Sequence, residues 1–63
     1  MNTYTKDFLN NEIAVGKRVR HRTFGIGIIS SYTHPFIKVK FQKVGEKMFR
    51  IPDVFQKGYL YLQ

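Results

Sequence analysis

No cysteine occurs in this chain of sixty-three residues, which excludes a disulfide framework, a thiolate metal site and a cysteine nucleophile. Stability must therefore come from packing. Acidic residues are scarce as well: four Asp and Glu face eleven Lys and Arg, for a formal net charge of +7 and a pI near 10.1. So large an imbalance in 7.5 kDa favours anionic partners, nucleic acid first among them. No apolar run approaches the length of a membrane span or a signal-peptide core. Neither feature is expected, and a cytoplasmic location is the default. Length is the last shortage, because a chain this small buries only about 60% of the surface it exposes when unfolded. A deep catalytic cavity is not expected. What the chain does have is core-forming material: 43% of residues are apolar and 16% aromatic, too rich a mixture for a disordered tail.

Two stretches differ in period. Over residues 1–14, Tyr4 and Phe8, then Leu9 and Ile13, stand four apart, as on one side of a short helix, with Thr5 as a cap and Asp7 in the first turn. This segment is expected to be a helical or extended arm that either packs onto the rest of the fold or binds a partner. From Val15 the period falls to two. Arg18-Val19-Arg20 gives a strand with one apolar and one cationic face, and Ile26 to Tyr32 a second, broken by Gly27. His34-Pro35 turns the chain. Ile37, Val39 and Phe41 then alternate with Lys38, Lys40 and Gln42, as in a half-buried antiparallel strand. Val44-Gly45-Glu46 reads as a hairpin connection, followed by Phe49 and Ile51 pointing inward and Arg50 outward. Pro52 to Gly58 reads as one helical turn with Asp53 as its cap and Gly58 as its stop, before a last strand over Tyr59 to Leu62. Five short strands and a helical turn over residues 15–63 fit a mainly β fold, a small closed or nearly closed barrel with a filled interior. Function would then lie on the outer surface.

Gly16-x-x-Val19-x-His21-x-x-Phe24-Gly25-x-Gly27-x-Ile29, continued by Val39-x-Phe41 and Gly45-x-Lys47-x-Phe49, resembles the signature of the Tudor-like, SH3-type barrel at the C-terminal end of UvrD and PcrA family helicases. The match covers about residues 15–51. The resemblance implies a five-stranded SH3-like barrel in a bacterial helicase accessory domain, without catalytic activity, whose partners are RNA polymerase and nucleic acid. No helicase motor is expected within these residues. The signature also has a direct physical reading. Gly25 suits a tight turn with positive φ, Gly27 lets the next strand coil sharply, and Phe24 plugs one end. His21 shares the parity of Val19 and is expected to face inward or lie at the rim in a structural role, its neutral ring bonding a backbone carbonyl.

Candidate catalytic chemistry fails residue by residue. Gly25-Ile-Gly27-Ile-Ile-Ser30 lacks the third glycine and the following helix of a dinucleotide fingerprint. His21 and His34 have no thiolate or paired carboxylates to complete a metal site. Asp7, Glu12, Glu46 and Asp53 show no spacing suited to a general acid and base, and Ser30 and Ser31 have no evident base. No enzyme activity, cofactor, metal or small-molecule substrate is expected.

The positive signal is the charge pattern. Arg18, Arg20 and Arg22 alternate along one strand, about 7 Å apart on one face, near the spacing of successive phosphates. Lys38 and Lys40 form a second row that Arg50 extends, and Lys17, Lys43 and Lys47 stand at strand ends or in the hairpin. Tyr32 and Phe36 offer stacking faces for unpaired bases, or core rings. Two functions fit. One is a nucleic-acid-binding module that follows the phosphate backbone without base-specific readout, there being no recognition helix. The other is a protein-interaction module that docks on a nucleic-acid enzyme such as RNA polymerase, a helicase or a nuclease, as adaptor or small inhibitor.

Overall fold

Residues 13–63 are described in a computed structural model of the chain. The arm expected over residues 1–14 lies outside them except for its last two residues, of which Ile13 is buried in the core. Five strands follow: β1 (Arg18–His21), β2 (Gly25–Thr33), β3 (Phe36–Phe41), β4 (Gly45–Arg50) and β5 (Leu60–Leu62). A single helical turn, α1 (Asp53–Gln56), stands between the last two strands. All pairings are antiparallel, in the order β4-β3-β2-β1-β5.

The alternation read in the sequence selects the buried face. Val19, Ile29, Ile37, Val39 and Leu60 are fully buried on one side of the sheet, joined by Phe41 and, across the opening, by Val54 and Phe55 of α1. In β3 the pattern is unbroken, with Ile37, Val39 and Phe41 inward and Phe36, Lys38 and Lys40 outward. Gly27 lies opposite Phe41 on the inner face, and a Cβ there would stand 2.6 Å from Val39 Cγ1 and 2.7 Å from Phe41 Cδ1. The glycine thus permits the close approach of a neighbouring side chain. The irregularity in β2 falls further on, between Ile29 and Ser31, where the pairing register shifts. Gly25 has φ +83°, as its place in a tight turn requires.

The sheet does not close. Closing these five strands into the SH3-like, Tudor-like barrel expected from the sequence would join β4 to β5, yet these two strands are the free edges of the sheet. The physical reason lies in the segment that joins them. The chain leaves β4 through Ile51-Pro52 and forms α1, which buries Val54 and Phe55 and touches both β4 and β5. The helical turn stands between the two edges, and β5 is only three residues long, committed to β1. The resemblance to the helicase C-terminal barrel, and the reading of the chain as a helicase accessory domain, fall with the closure. What the chain forms is an open, five-stranded antiparallel sheet capped at one end by a short helix.

Candidate ligand-binding surfaces

The outer face of the sheet collects cations by register. Arg18 on β1 pairs with Ile28 on β2, Ile28 with Lys40 on β3, and Lys40 with Glu46 on β4, so these four share one row across the sheet. Arg20, paired with Ile26 and with Tyr61, stands one row to one side. Lys38, paired with Met48, stands one row to the other side, and Phe36 with Arg50 a row further. Arg20, Arg18, Lys40, Lys38 and Arg50 therefore follow a diagonal from β1 to β4. Strand rise and spacing make it about 20–25 Å long. All five are exposed. Among the described residues Glu46 is the one acid on this face, and its Oε2 accepts a hydrogen bond from Ser30 Oγ at 2.7 Å. Apolar side chains stand between the cations, with Ile28, Phe36, Met48 and Tyr61 all exposed.

The remaining expected contacts are distributed elsewhere. β1 ends at His21, so Arg22 does not continue the alternation. It lies in the following turn, with its Cζ 5.7 Å from the centroid of the Tyr59 ring. Lys47 pairs with Val39 and thus has inner-face parity, and its ammonium is 5.6 Å from the centroid of Phe24. Lys17 precedes β1, and Lys43 occupies the β3–β4 turn. Of the two stacking candidates, Phe36 is exposed on the outer face. The register shift turns Tyr32 to the opposite side, paired with Ile37 and packed against the core, its hydroxyl 3.5 Å from His34 Nδ1.

The inner face holds a second surface, at the end where β4 and β5 fail to meet. His21 is its foundation. The ring is 7% exposed, and its Nδ1 accepts backbone N–H groups from Thr23 at 3.0 Å and Phe24 at 3.2 Å. Those are donors, not the carbonyl expected from the sequence, so the ring nitrogen that receives them must be unprotonated. Burial, and after it the charge of Arg22, lowers the His21 pKa from its ordinary value. Phe24 stacks on this ring with centroids 4.4 Å apart. Phe49 of β4 is 5.4 Å from it and Tyr59 6.3 Å, and both rings lie within about 25° of parallel to the imidazole.

Tyr59 is brought there by the end of α1. Gly58, at φ +78°, donates to Phe55 O, and the Tyr59 N–H donates to Val54 O, a paired closure of the last helical turn that requires a left-handed residue at Gly58. Tyr59 O then accepts the Arg22 N–H at 2.9 Å, which ties the segment to the end of β1. At the other end of α1, Asp53 is the first helical residue, not the cap: the carbonyl of Pro52 accepts from Phe55 and Gln56, with no side-chain cap. Between β4 and this segment lies an open cleft of about 290 Å³, lined by His21, Phe49, Val54 and Tyr59, with Arg50, Lys57 and Asp53 also contributing.

Sequence reasoning singled out neither Phe49 nor Tyr59 as a binding residue, and no local signal marks them. They are ten positions apart, and each lies against the His21 ring. The chain matches no protein-family model, no curated protein and no solved structure. Among the described residues no group of three or more His, Asp or Glu is arranged to hold a metal ion, and no helix is long and apolar enough to cross a membrane.

Proposed function

We propose that this chain is a non-catalytic nucleic-acid-binding module that contacts the phosphate backbone through the outer face of its sheet. The observation that carries the reading is the diagonal of Arg20, Arg18, Lys40, Lys38 and Arg50, accompanied on that face by a single acid whose carboxylate accepts from Ser30. Cations held on a rigid sheet at strand spacing give a track for phosphates. They supply affinity and orientation without reading sequence.

The reading is tested by fluorescence anisotropy with a labelled oligonucleotide over a range of salt concentrations. Five neutralised phosphates give a slope of log K against log salt of about −3.5 for a single strand and about −4.5 for a duplex. The double reversal Arg18→Glu, Lys40→Glu removes two contacts, and the slope becomes shallower by about 1.4 for a single strand and about 1.8 for a duplex. A response independent of salt, or no binding of DNA or RNA, overturns the reading.

A second reading rests on a different feature of the same face. Ile28, Phe36, Met48 and Tyr61 are exposed among the cations, and such a mixture suits the surface of an acidic protein partner, here a nucleic-acid-processing enzyme. Affinity capture after nuclease treatment separates the two. One stoichiometric protein retained without nucleic acid favours the second, and recovery that vanishes with nuclease favours the first.

A further inference from the structure

The cleft on the inner face has no role in phosphate contact along the outer face, yet the two surfaces meet at one residue. Arg50 ends the outer diagonal, paired with Phe36, and also lines the cleft. A phosphate chain that follows the diagonal to Arg50 arrives at the mouth of an aromatic recess. We propose that this recess seats one unpaired base of a single-stranded nucleic acid, stacked against Tyr59 and Phe49, while Arg50 and Lys57 take the flanking phosphates. The inference rests on the phosphate-binding reading above and adds strandedness to it.

Three features favour this occupant. The first is shape: at about 290 Å³ the cleft stands at the small end of ligand sites, large enough for a single planar ring system and too small for a helix. The second is the wall chemistry. Phe49 and Tyr59 are nearly parallel to the His21 ring, and such faces stack bases of any identity. The third is charge. Two cations, Arg50 and Lys57, stand against one acid, Asp53. A base in a duplex is paired and stacked, and could reach the recess only after being turned out of the helix.

The geometry of Tyr59 makes the test clean, because the side chain is 45% exposed and outside the buried core. Three labelled probes of equal length are compared by fluorescence anisotropy at one salt concentration: a mixed-sequence single strand, a single strand of abasic residues, and a blunt duplex. The abasic strand keeps the phosphates and removes the bases. The intact single strand is expected to bind more tightly than the abasic one. Tyr59→Ala should weaken the intact strand about 5- to 150-fold, the range of one lost base–aromatic stack, and leave the abasic strand unchanged. Tyr59→Phe keeps the ring and should restore binding. Equal affinity of the wild type for intact and abasic strands overturns the base seat, as does a Tyr59→Ala variant that binds the intact strand like the wild type. In either case, binding of the duplex leaves the phosphate-binding reading standing. Failure of all three probes removes both.

Discussion

The two faces of the sheet are built from the same five strands and obey different rules. On the inner face, Val19, Ile29, Ile37, Val39 and Leu60 lose all contact with water, and Gly27 has no room for even a methyl group. On the outer face, the residues one position along carry Arg18, Arg20, Lys38 and Lys40, all exposed. The inner face has one solution, since atoms must interlock. The outer face is determined by charge and tolerates change of shape. The difference teaches where stability resides: substitutions in the buried core of the inner face should affect folding, and substitutions on the outer face only partners.

Four perturbations test this division, in order of decreasing effect on stability. Phe55→Ala removes the largest buried side chain of α1, which is 1% exposed, and should cost about 3–5 kcal/mol in urea denaturation. For so small a domain that is most of the folding free energy, and a loss below about 1 kcal/mol would mean that α1 does not hold the open end. Gly27→Ala places a methyl group against Val39 and Phe41. Overpacking should lower stability by about 1–3 kcal/mol, and an unchanged unfolding midpoint would contradict the tight approach.

The third perturbation is acid. His21 is neutral in the fold, its Nδ1 engaged by two N–H donors, and burial together with Arg22 sets its pKa below the ordinary 6.5. The unfolded chain therefore binds this proton at higher pH than the folded one. The contribution to stability is complete above about pH 6.5, falls as the pH drops through that value, and levels off below the folded pKa. Urea midpoints measured from pH 8 to pH 5 should decline on acidification, and His21→Phe should flatten that profile. A midpoint that rises on acidification would contradict a neutral His21. The smallest effect is expected on the outer face. Arg18→Glu with Lys40→Glu should shift stability by no more than about 0.5 kcal/mol while altering binding. A large loss of stability there would break the separation of the two faces.

Much of the strand pattern was legible because a half-buried strand writes its exposure into alternate residues. The alternation sends Ile37, Val39 and Phe41 inward and Lys38 and Lys40 outward, and the structure places them so. His21 and Val19 share a face for the same reason. Tyr32 was harder, because a shift of register between Ile29 and Ser31 reverses the parity after it. Arg22 left the row because β1 stops one residue before it. The aromatic cleft left no sequence pattern at all, since its rings come from β1, from β4 and from the segment between α1 and β5.

By itself the sequence determined the excess of positive charge, the dependence on packing without disulfides, and the two-residue period that divides apolar from cationic side chains. Each is a property of composition or of neighbours along the chain. Only the tertiary structure decided that β4 and β5 remain apart and that Arg18, Arg20, Lys38, Lys40 and Arg50 share a diagonal. It alone brought His21, Phe49 and Tyr59 together. Closure of a sheet depends on whether two distant edges find each other or find Val54 and Phe55 first, and that competition is settled by volume in three dimensions.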